Sequence, residues 1–112
     1  MSVNKVILIG NVGSDPVMRY PERDKAIATV SLATNTSQGN VEVTDWHRLV
    51  FFGQLAQVVE RYVRKGTKLY VEGRIRYREY TDKMGISRQA TEIIVENMEL
   101  LGRSGGQPAS QG

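Results

Sequence analysis

The spacing of hydrophobic residues along the chain predicts five β-strands and one helix. Strands are indicated where β-branched and apolar residues form short runs or alternate with polar ones. The predicted strands run over Val3–Asn11, Lys25–Thr36, Val43–Gly53, Thr67–Tyr80 and Ser87–Leu101. Between the third and fourth strands the period changes, and apolar residues recur at the three- and four-residue spacing of a helix over Gln54–Lys65.

The predicted helix carries an apolar face that is expected to pack on the core. This face consists of Leu55, Val58, Val59, Tyr62 and Val63. Arg61, Arg64 and Lys65 are expected in its last turn, where the helix dipole favours cations. Gly66 then suits the left-handed residue that commonly ends a helix.

The element order β-β-β-α-β-β predicts the fold. It is typical of a five-stranded Greek-key barrel of the oligonucleotide/oligosaccharide-binding (OB) type, which is all-β with one helix. Residues 1–101 are expected to form this domain. Residues 102–112 are rich in Gly, Ser and Gln, which predicts a flexible tail.

The two faces of the third predicted strand carry different side chains. Successive strand residues point to opposite faces, so Trp46 and Phe52 share a face with Arg48. Leu49 and Phe51 lie on the other face and already supply core residues. A tryptophan in a small domain is usually a core residue, but the shared arginine favours an exposed, base-stacking role for Trp46 and Phe52.

The fourth predicted strand shows the same division. Its core face reads Leu69, Val71, Gly73 and Ile75, and its outer face reads Lys68, Tyr70, Glu72, Arg74, Arg76, Arg78 and Tyr80. Cations that contact phosphates, interleaved with aromatic rings that stack on unpaired bases, are what single-stranded nucleic acid requires. For Tyr70 the alternative of a packed or interface residue is stronger than for Tyr80, which lies near a hairpin tip.

Charge is distributed unevenly along the 112 residues, whose net charge is only +3. The segment from Arg61 to Arg88 carries nine Lys and Arg against three acids, and the rest of the chain is net acidic. A compact basic segment favours a polyanionic partner, although a solvated strand surface would show the same charge.

Composition argues against an enzyme. The chain has no cysteine and one histidine, which excludes thiol nucleophiles, thiolate zinc sites and multi-histidine metal centres. Gly10-Asn11-Val12-Gly13 lacks the spacing of a phosphate-binding loop, and these glycines fit a sharply bent strand better. No cofactor or metal is expected. Without a secretory signal or a long apolar run, a cytoplasmic protein is expected, with no membrane contact.

Several short motifs, in order from Val3 to Leu101, resemble bacterial single-stranded DNA-binding proteins. They are Val3-Asn4-Lys5-Val6-Ile7-Leu8-Ile9-Gly10-Asn11, Asp15-Pro16, Arg19-Tyr20, Leu32-Ala33-Thr34, Trp46-His47-Arg48, Phe52-Gly53, Tyr62-Val63-Arg64-Lys65-Gly66 and Tyr70-Val71-Glu72-Gly73. The resemblance implies an OB-fold homotetramer that coats single-stranded DNA in replication, recombination and repair. Association with the bacterial nucleoid is implied in the same way. It also implies base stacking on Trp46, Phe52 and Tyr80, and a subunit contact at His47.

Together these arguments give a set of expected site residues. The stacking residues are Trp46, Phe52, Tyr80 and Tyr70, and the phosphate-binding residues are Arg48, Lys68, Arg74, Arg76, Arg78, Lys83 and Arg88. His47, with Lys5 and Val6 of the apolar first strand, is expected at the subunit interface.

Two features depart from the family pattern. The position near Ser37, where relatives often have another aromatic residue, has none, and the acidic C-terminal tip that recruits partners is not present after Glu99. Either a shortened chain or a short paralogue would explain the second difference. The alternative functions are a primosome-type OB-fold accessory protein, and a protein-interaction OB module that does not bind DNA.

Overall fold

The computed structural model describes residues 1–103 and shows six strands and one helix. The elements are β1 Val6–Val12, β2 Val17–Glu22, β3 Lys25–Gln38, β4 Val41–Phe52, α1 Gln54–Tyr62, β5 Thr67–Thr81 and β6 Ser87–Arg103. The predicted fold class is confirmed, with one short strand added. The predicted tail begins at Gly102, whereas β6 includes Gly102 and Arg103; the rest of that tail lies outside the described residues.

The strands form one sheet that closes on itself. Their order is β1-β5-β6-β4-β3-β2, and β1 pairs with β3 as well as with β5. At the closure point Asn11 is opposite both Lys68 of β5 and Ala33 of β3. Gly10 makes this approach possible, because a Cβ there would lie 2.2 Å from the Ala33 carbonyl oxygen. The predicted bend at this glycine is therefore a close crossing of two strands.

The added strand, β2, forms an antiparallel hairpin with β3. Val17 is opposite Thr29 and Arg19 is opposite Ile27, and the register shifts before Glu22. The sequence pattern did not predict this strand, because Pro21 interrupts it and two of its six residues, Arg19 and Glu22, are charged. A proline is tolerated here because β2 is an edge strand of the sheet.

The helix is shorter than predicted, and one residue on its expected buried face is exposed. It ends at Tyr62, and the next residue, Val63, takes an extended backbone conformation. Val63 is fully buried, whereas the Tyr62 side chain is 57% exposed, so the prediction of Tyr62 as a core residue is wrong. Only Arg61 lies in the last turn, since the helix stops before Arg64 and Lys65.

The turn after the helix explains this early end. The Thr67 hydroxyl oxygen accepts a hydrogen bond from the Arg64 backbone N–H at 3.0 Å. The Thr67 N–H in turn donates to the Arg64 carbonyl, also at 3.0 Å. Gly66 has the expected positive φ, 92°, but within this turn and not at the helix end. Burial of Val63 as the chain turns toward β5 therefore outweighs the helical periodicity.

The core lies inside the closed sheet and under α1. Its buried apolar residues include Ala28, Val30, Leu32, Leu49, Phe51, Ala56, Val59, Leu69, Val71, Ile93 and Val95. They come from β3 to β6 and from the helix, and they alternate along each strand with outward-pointing residues. This alternation fixes which side chains reach the outer surface.

Candidate nucleic-acid interface

A groove of about 640 Å³ runs over the outer surface of five strands. It is lined by Val17 and Arg19 of β2, Ile27 and Thr29 of β3, Arg48, Val50 and Phe52 of β4, Arg76 and Arg78 of β5, and Glu92 and Ile94 of β6. Val50, Glu92 and Ile94 are buried and form what we call the floor. The other lining side chains form the rim, so the groove has a buried floor of two apolar residues and one carboxylate, and an edge that carries four arginines.

Trp46 and Phe52 are on the surface, as their parity on β4 predicts. Their side chains are 61% and 47% exposed, whereas Leu49 and Phe51 on the opposite face are completely buried. Phe52 lines the groove itself, and Trp46 lines a smaller depression of about 260 Å³ that shares Arg48 with it. Both rings can therefore be reached by a ligand, while base stacking on them stays a prediction.

The position of the Trp46 indole depends on the loop after β1. A Cβ added at Gly13 would lie 2.3 Å from Cζ3 of Trp46, far inside any allowed contact. The ring therefore covers the Gly13 backbone and leaves its other side to solvent. A larger residue at this position would displace the indole.

Glu92 was not predicted as a site residue, yet it organises the charges in the groove. One carboxylate oxygen, Oε2, accepts a hydrogen bond from Arg48 Nε at 3.1 Å and from Arg78 Nε at 3.0 Å. Burial alone would raise the pKa of Glu92, but the hydrogen bonds and charges of Arg78 and Arg48 outweigh it, and the pKa lies below its ordinary value. The carboxylate therefore stays ionised at neutral pH.

Tyr80 is connected to this cluster through Arg78. The guanidinium carbon of Arg78 lies 5.5 Å from the centre of the Tyr80 ring, which is a cation–π distance. The ring is 42% exposed near the tip of the β5–β6 hairpin. In the tip, Asp82 accepts a hydrogen bond from Arg88 at 2.9 Å. This bond, with those from the Ile86 and Met84 backbone, lowers the Asp82 pKa.

The other expected phosphate-binding residues lie away from the groove. Arg74 forms an ion pair with Glu96 at 3.0 Å, and both side chains are about half exposed. Lys68 is exposed opposite Asn11 of β1, and Lys83 is exposed in the hairpin tip. The structure therefore brings together Arg48, Arg76 and Arg78 but not the remaining cations.

Tyr70 is also outside the groove. Its hydroxyl donates a hydrogen bond to the Glu72 carboxylate, and this bond raises the Tyr70 pKa. Lys5 forms an ion pair with the same carboxylate at 3.4 Å. This places Tyr70 beside β1, away from Trp46 and the groove. A role as an interface residue therefore fits its location better than base stacking.

The expected interface residues occupy two places. Lys5 lies next to β5 on the outside of the barrel, where Ile7 and Ile9 are 56% and 52% exposed. Val6 is on the opposite side of the strand, where it is partly buried and packs against the core. We call Ile7 and Ile9 with their neighbours Lys5, Tyr70 and Glu72 the β1 face. His47, in contrast, is half-buried in β4, and its Nε2 lies 2.9 Å from the Thr34 hydroxyl.

Two groove residues of β2, Arg19 and Val17, were also missed by the sequence reasoning. Arg19 makes no ion pair with any described residue. The local signal is that Val17 and Arg19, two positions apart, share one face of a strand, but Pro21 obscures the strand pattern. Within residues 1–103 there is no cluster of potential metal ligands, and no helix there is long and apolar enough to span a bilayer.

Comparison with known proteins agrees with this geometry. Residues 3–101 match the model of the single-strand binding protein family. The chain belongs to this family. A single-stranded DNA-binding protein of Bacteroides thetaiotaomicron is 50% identical over 94% of this chain and 70% of its own length. One from Xanthomonas campestris is 44% identical over 92% of this chain and 63% of its own length.

A solved structure supports the fold independently of these sequences. The chain superimposes on the Plasmodium falciparum single-strand binding protein in complex with single-stranded DNA with a TM-score of 0.83 and 33% identity. The match covers 90% of this chain and 96% of the other. Family membership confirms the predicted OB fold and the prediction of a single-stranded DNA-binding protein rather than an enzyme.

Proposed function

We propose that this family member binds single-stranded DNA along the groove, independently of base sequence, with bases stacked on Trp46, Phe52 and Tyr80. The observation that carries the proposal is the placement of exposed aromatic rings next to arginines on one continuous surface. Unpaired bases expose their ring faces, whereas duplex DNA hides them, so stacking selects single strands.

Charge in and beside the groove supports the second part of this proposal, contact with the phosphates. Arg76 and Arg19 line the groove and pair with no carboxylate of the described residues. Counterions released from phosphates by such cations make the affinity strongly salt-dependent. Lys68, Arg74, Lys83 and Arg88, outside the groove, are proposed as contacts for a longer strand that continues over the surface.

We further propose that the chain assembles into a homotetramer that acts on DNA in replication, recombination and repair in the bacterial cytoplasm. The β1 face supports self-association, because Ile7 and Ile9 are half exposed on a regular strand. Exposed aliphatic side chains on a sheet surface invite contact with another chain. His47, Lys5 and Val6 remain the proposed contact residues. Light scattering at micromolar concentration tests this, and a monomeric mass would contradict it.

A fluorescence titration tests DNA binding directly. Trp46 is the only tryptophan, so its emission reports on one position of the binding surface. Adding oligothymidylate should quench this emission strongly, and raising the salt concentration should reverse the quenching. A protein-interaction module that does not bind DNA would show neither effect.

A further inference from the structure

The arginines of the groove fall into two groups that the sequence does not distinguish. Arg48 and Arg78 are both hydrogen-bonded to the buried carboxylate of Glu92. Arg19 and Arg76 line the same groove without an ion pair to any residue of the described chain. The groove therefore contains two arginines that share one carboxylate, which offsets half of their combined charge, and two arginines that have no acid of the described chain paired with them.

Glu92 lies at the floor of the groove, where its negative charge acts on any group that enters. It belongs to β6, which runs between β4 and β5, and it is only 6% exposed. The other two floor residues, Val50 and Ile94, are about as buried as Glu92, and both are apolar. A phosphate that entered here would meet an ionised carboxylate and would have to compete with it for Arg48 and Arg78. An anion is therefore disfavoured at the floor, whereas a flat, uncharged base is not.

We propose that Glu92 is a specificity-determining residue that orients the bound strand, with bases toward the floor and phosphates along the rim. This inference rests on the proposed function. Glu92 holds Arg48 and Arg78 through hydrogen bonds and offsets part of their charge, so that phosphates are held by Arg19 and Arg76 instead. The pairing also holds Arg78 beside the Tyr80 ring. The effect is to favour ligands that have bases over polyanions that have none.

A comparison of two ligands tests this role. One is an oligothymidylate, and the other is an abasic deoxyribose-phosphate oligomer of the same length and charge. Affinity for both is measured across a salt series for the wild-type chain and for Glu92→Gln, which keeps the side-chain size and removes the charge. Glu96→Gln is the matched control, because Glu96 is on the same strand and pairs with an arginine outside the groove.

With the carboxylate neutralised, Arg48 and Arg78 become available to phosphates. Glu92→Gln should bind the abasic oligomer about fivefold tighter at low salt, with a salt slope steeper by about 0.7 for each arginine recruited. Affinity for oligothymidylate should change less, so the ratio of the affinity for oligothymidylate to the affinity for the abasic oligomer should fall. The Glu96→Gln control should change the affinity for both ligands by the same factor.

Each other outcome is informative. An unchanged preference in Glu92→Gln, or a parallel loss for both ligands, overturns the role assigned to Glu92 while leaving DNA binding intact. A wild-type chain that does not bind oligothymidylate overturns the proposed function itself. Melting curves show whether Glu92→Gln is folded.

If Glu92→Gln does not fold, single arginine variants test the role assigned to Glu92 instead. Arg76→Ala should flatten the wild-type salt slope by about 0.7, and Arg78→Ala should leave that slope nearly unchanged. An equal flattening in both variants would show that Arg78 contacts a phosphate, which contradicts the proposal.

Discussion

The groove and the β1 face expose large apolar side chains to a similar degree but differ in chemistry. Trp46 and Phe52 are 61% and 47% exposed, and Ile7 and Ile9 are 56% and 52% exposed. Around the groove the large aromatic rings of Trp46 and Phe52 stand among arginines. On the β1 face they are aliphatic, and the nearest charges, Lys5 and Glu72, neutralise each other.

This difference shows that exposure alone does not identify a binding surface. An aromatic ring can stack on a base, and a neighbouring cation can contact its phosphate. An aliphatic side chain can do neither, and it is stabilised only by being covered. We therefore assign the groove to DNA and the β1 face to another copy of the chain, and variants of each surface should affect different measurements.

The largest expected effect compares the groove with the core. Phe51 and Phe52 are neighbours on β4, but only Phe51 is fully buried. Phe51→Ala should lower the free energy of unfolding by about 3–5 kcal/mol, because it leaves a cavity. Phe52→Ala should leave the unfolding midpoint in urea nearly unchanged and weaken DNA binding. Equal destabilisation by both changes would mean that Phe52 is a packing residue.

The next effect concerns the β1 face. Replacing Ile7 and Ile9 together by lysine places two charges where an interface needs apolar area, at about 1.5–3 kcal/mol for each fully buried isoleucine. Sedimentation should show a smaller assembly, with quenching by a short oligothymidylate retained. Val41→Lys is the control, since Val41 is 62% exposed near the β3–β4 turn. If the double variant keeps the mass of the wild-type assembly, the β1 face is not a contact between subunits.

A smaller effect is expected from a single stacking residue. Trp46→Ala should weaken oligothymidylate binding by about 1–3 kcal/mol without lowering the melting temperature. Tyr62→Ala is the matched control, because Tyr62 is equally exposed but lies on α1, outside the groove. Fluorescence anisotropy of a labelled oligonucleotide measures both. A similar loss in the Tyr62 variant would extend the binding surface to the helix.

Salt dependence distinguishes free from paired cations. Arg76→Ala should flatten the slope of log affinity against log salt by about 0.7, because Arg76 has no ion-pair partner among the described residues. Arg74→Ala should flatten it less, since Arg74 already pairs with Glu96. The slopes come from titrations at several salt concentrations. The reverse order would show that the Arg74–Glu96 pair opens when DNA binds.

The smallest expected effect is a pH dependence of stability from Glu92. Its pKa in the folded chain lies below the ordinary value of 4.5, so the folded state binds fewer protons than the unfolded state. The stabilisation is therefore complete above that value and is lost as the pH falls through the lower, folded-state pKa. Urea unfolding between about pH 3 and 6 should show this loss, and Glu92→Gln should reduce it. An identical pH profile in the variant would contradict it.

The sequence predicted those parts of the site that depend on strand periodicity. Alternation along β4 is sufficient to place Trp46 and Phe52 outside and Phe51 inside, because neighbouring side chains must point to opposite faces. The same rule predicted the exposed arginines of β5. It did not show that Arg74 pairs with Glu96 while Arg76 stays free, because ion pairing depends on the register between strands.

The parts that were not predicted depend on contacts between distant segments. Glu92 occurs in a strand of isoleucines and valines, and nothing local shows that two arginines from other strands converge on it. Tyr62 has the spacing of a core residue, but the helix ends there because Val63 is buried in an extended conformation. Pro21 interrupts the strand pattern of β2, so neither this strand nor its groove residue Arg19 was predicted.

β4 and β6 are neighbours in the sheet and run parallel, with Leu49 opposite Ile93. This pairing has a consequence for folding kinetics. Arg78 and Glu92 are 14 residues apart on one hairpin, so their contact can form early, whereas Arg48 and Glu92 are 44 residues apart. Contacts of long sequence separation form slowly because the intervening chain must be ordered first. Refolding monitored by DNA binding should therefore lag behind refolding monitored by formation of the β5–β6 hairpin, and capture of a single strand would time the pairing of β4 with β6.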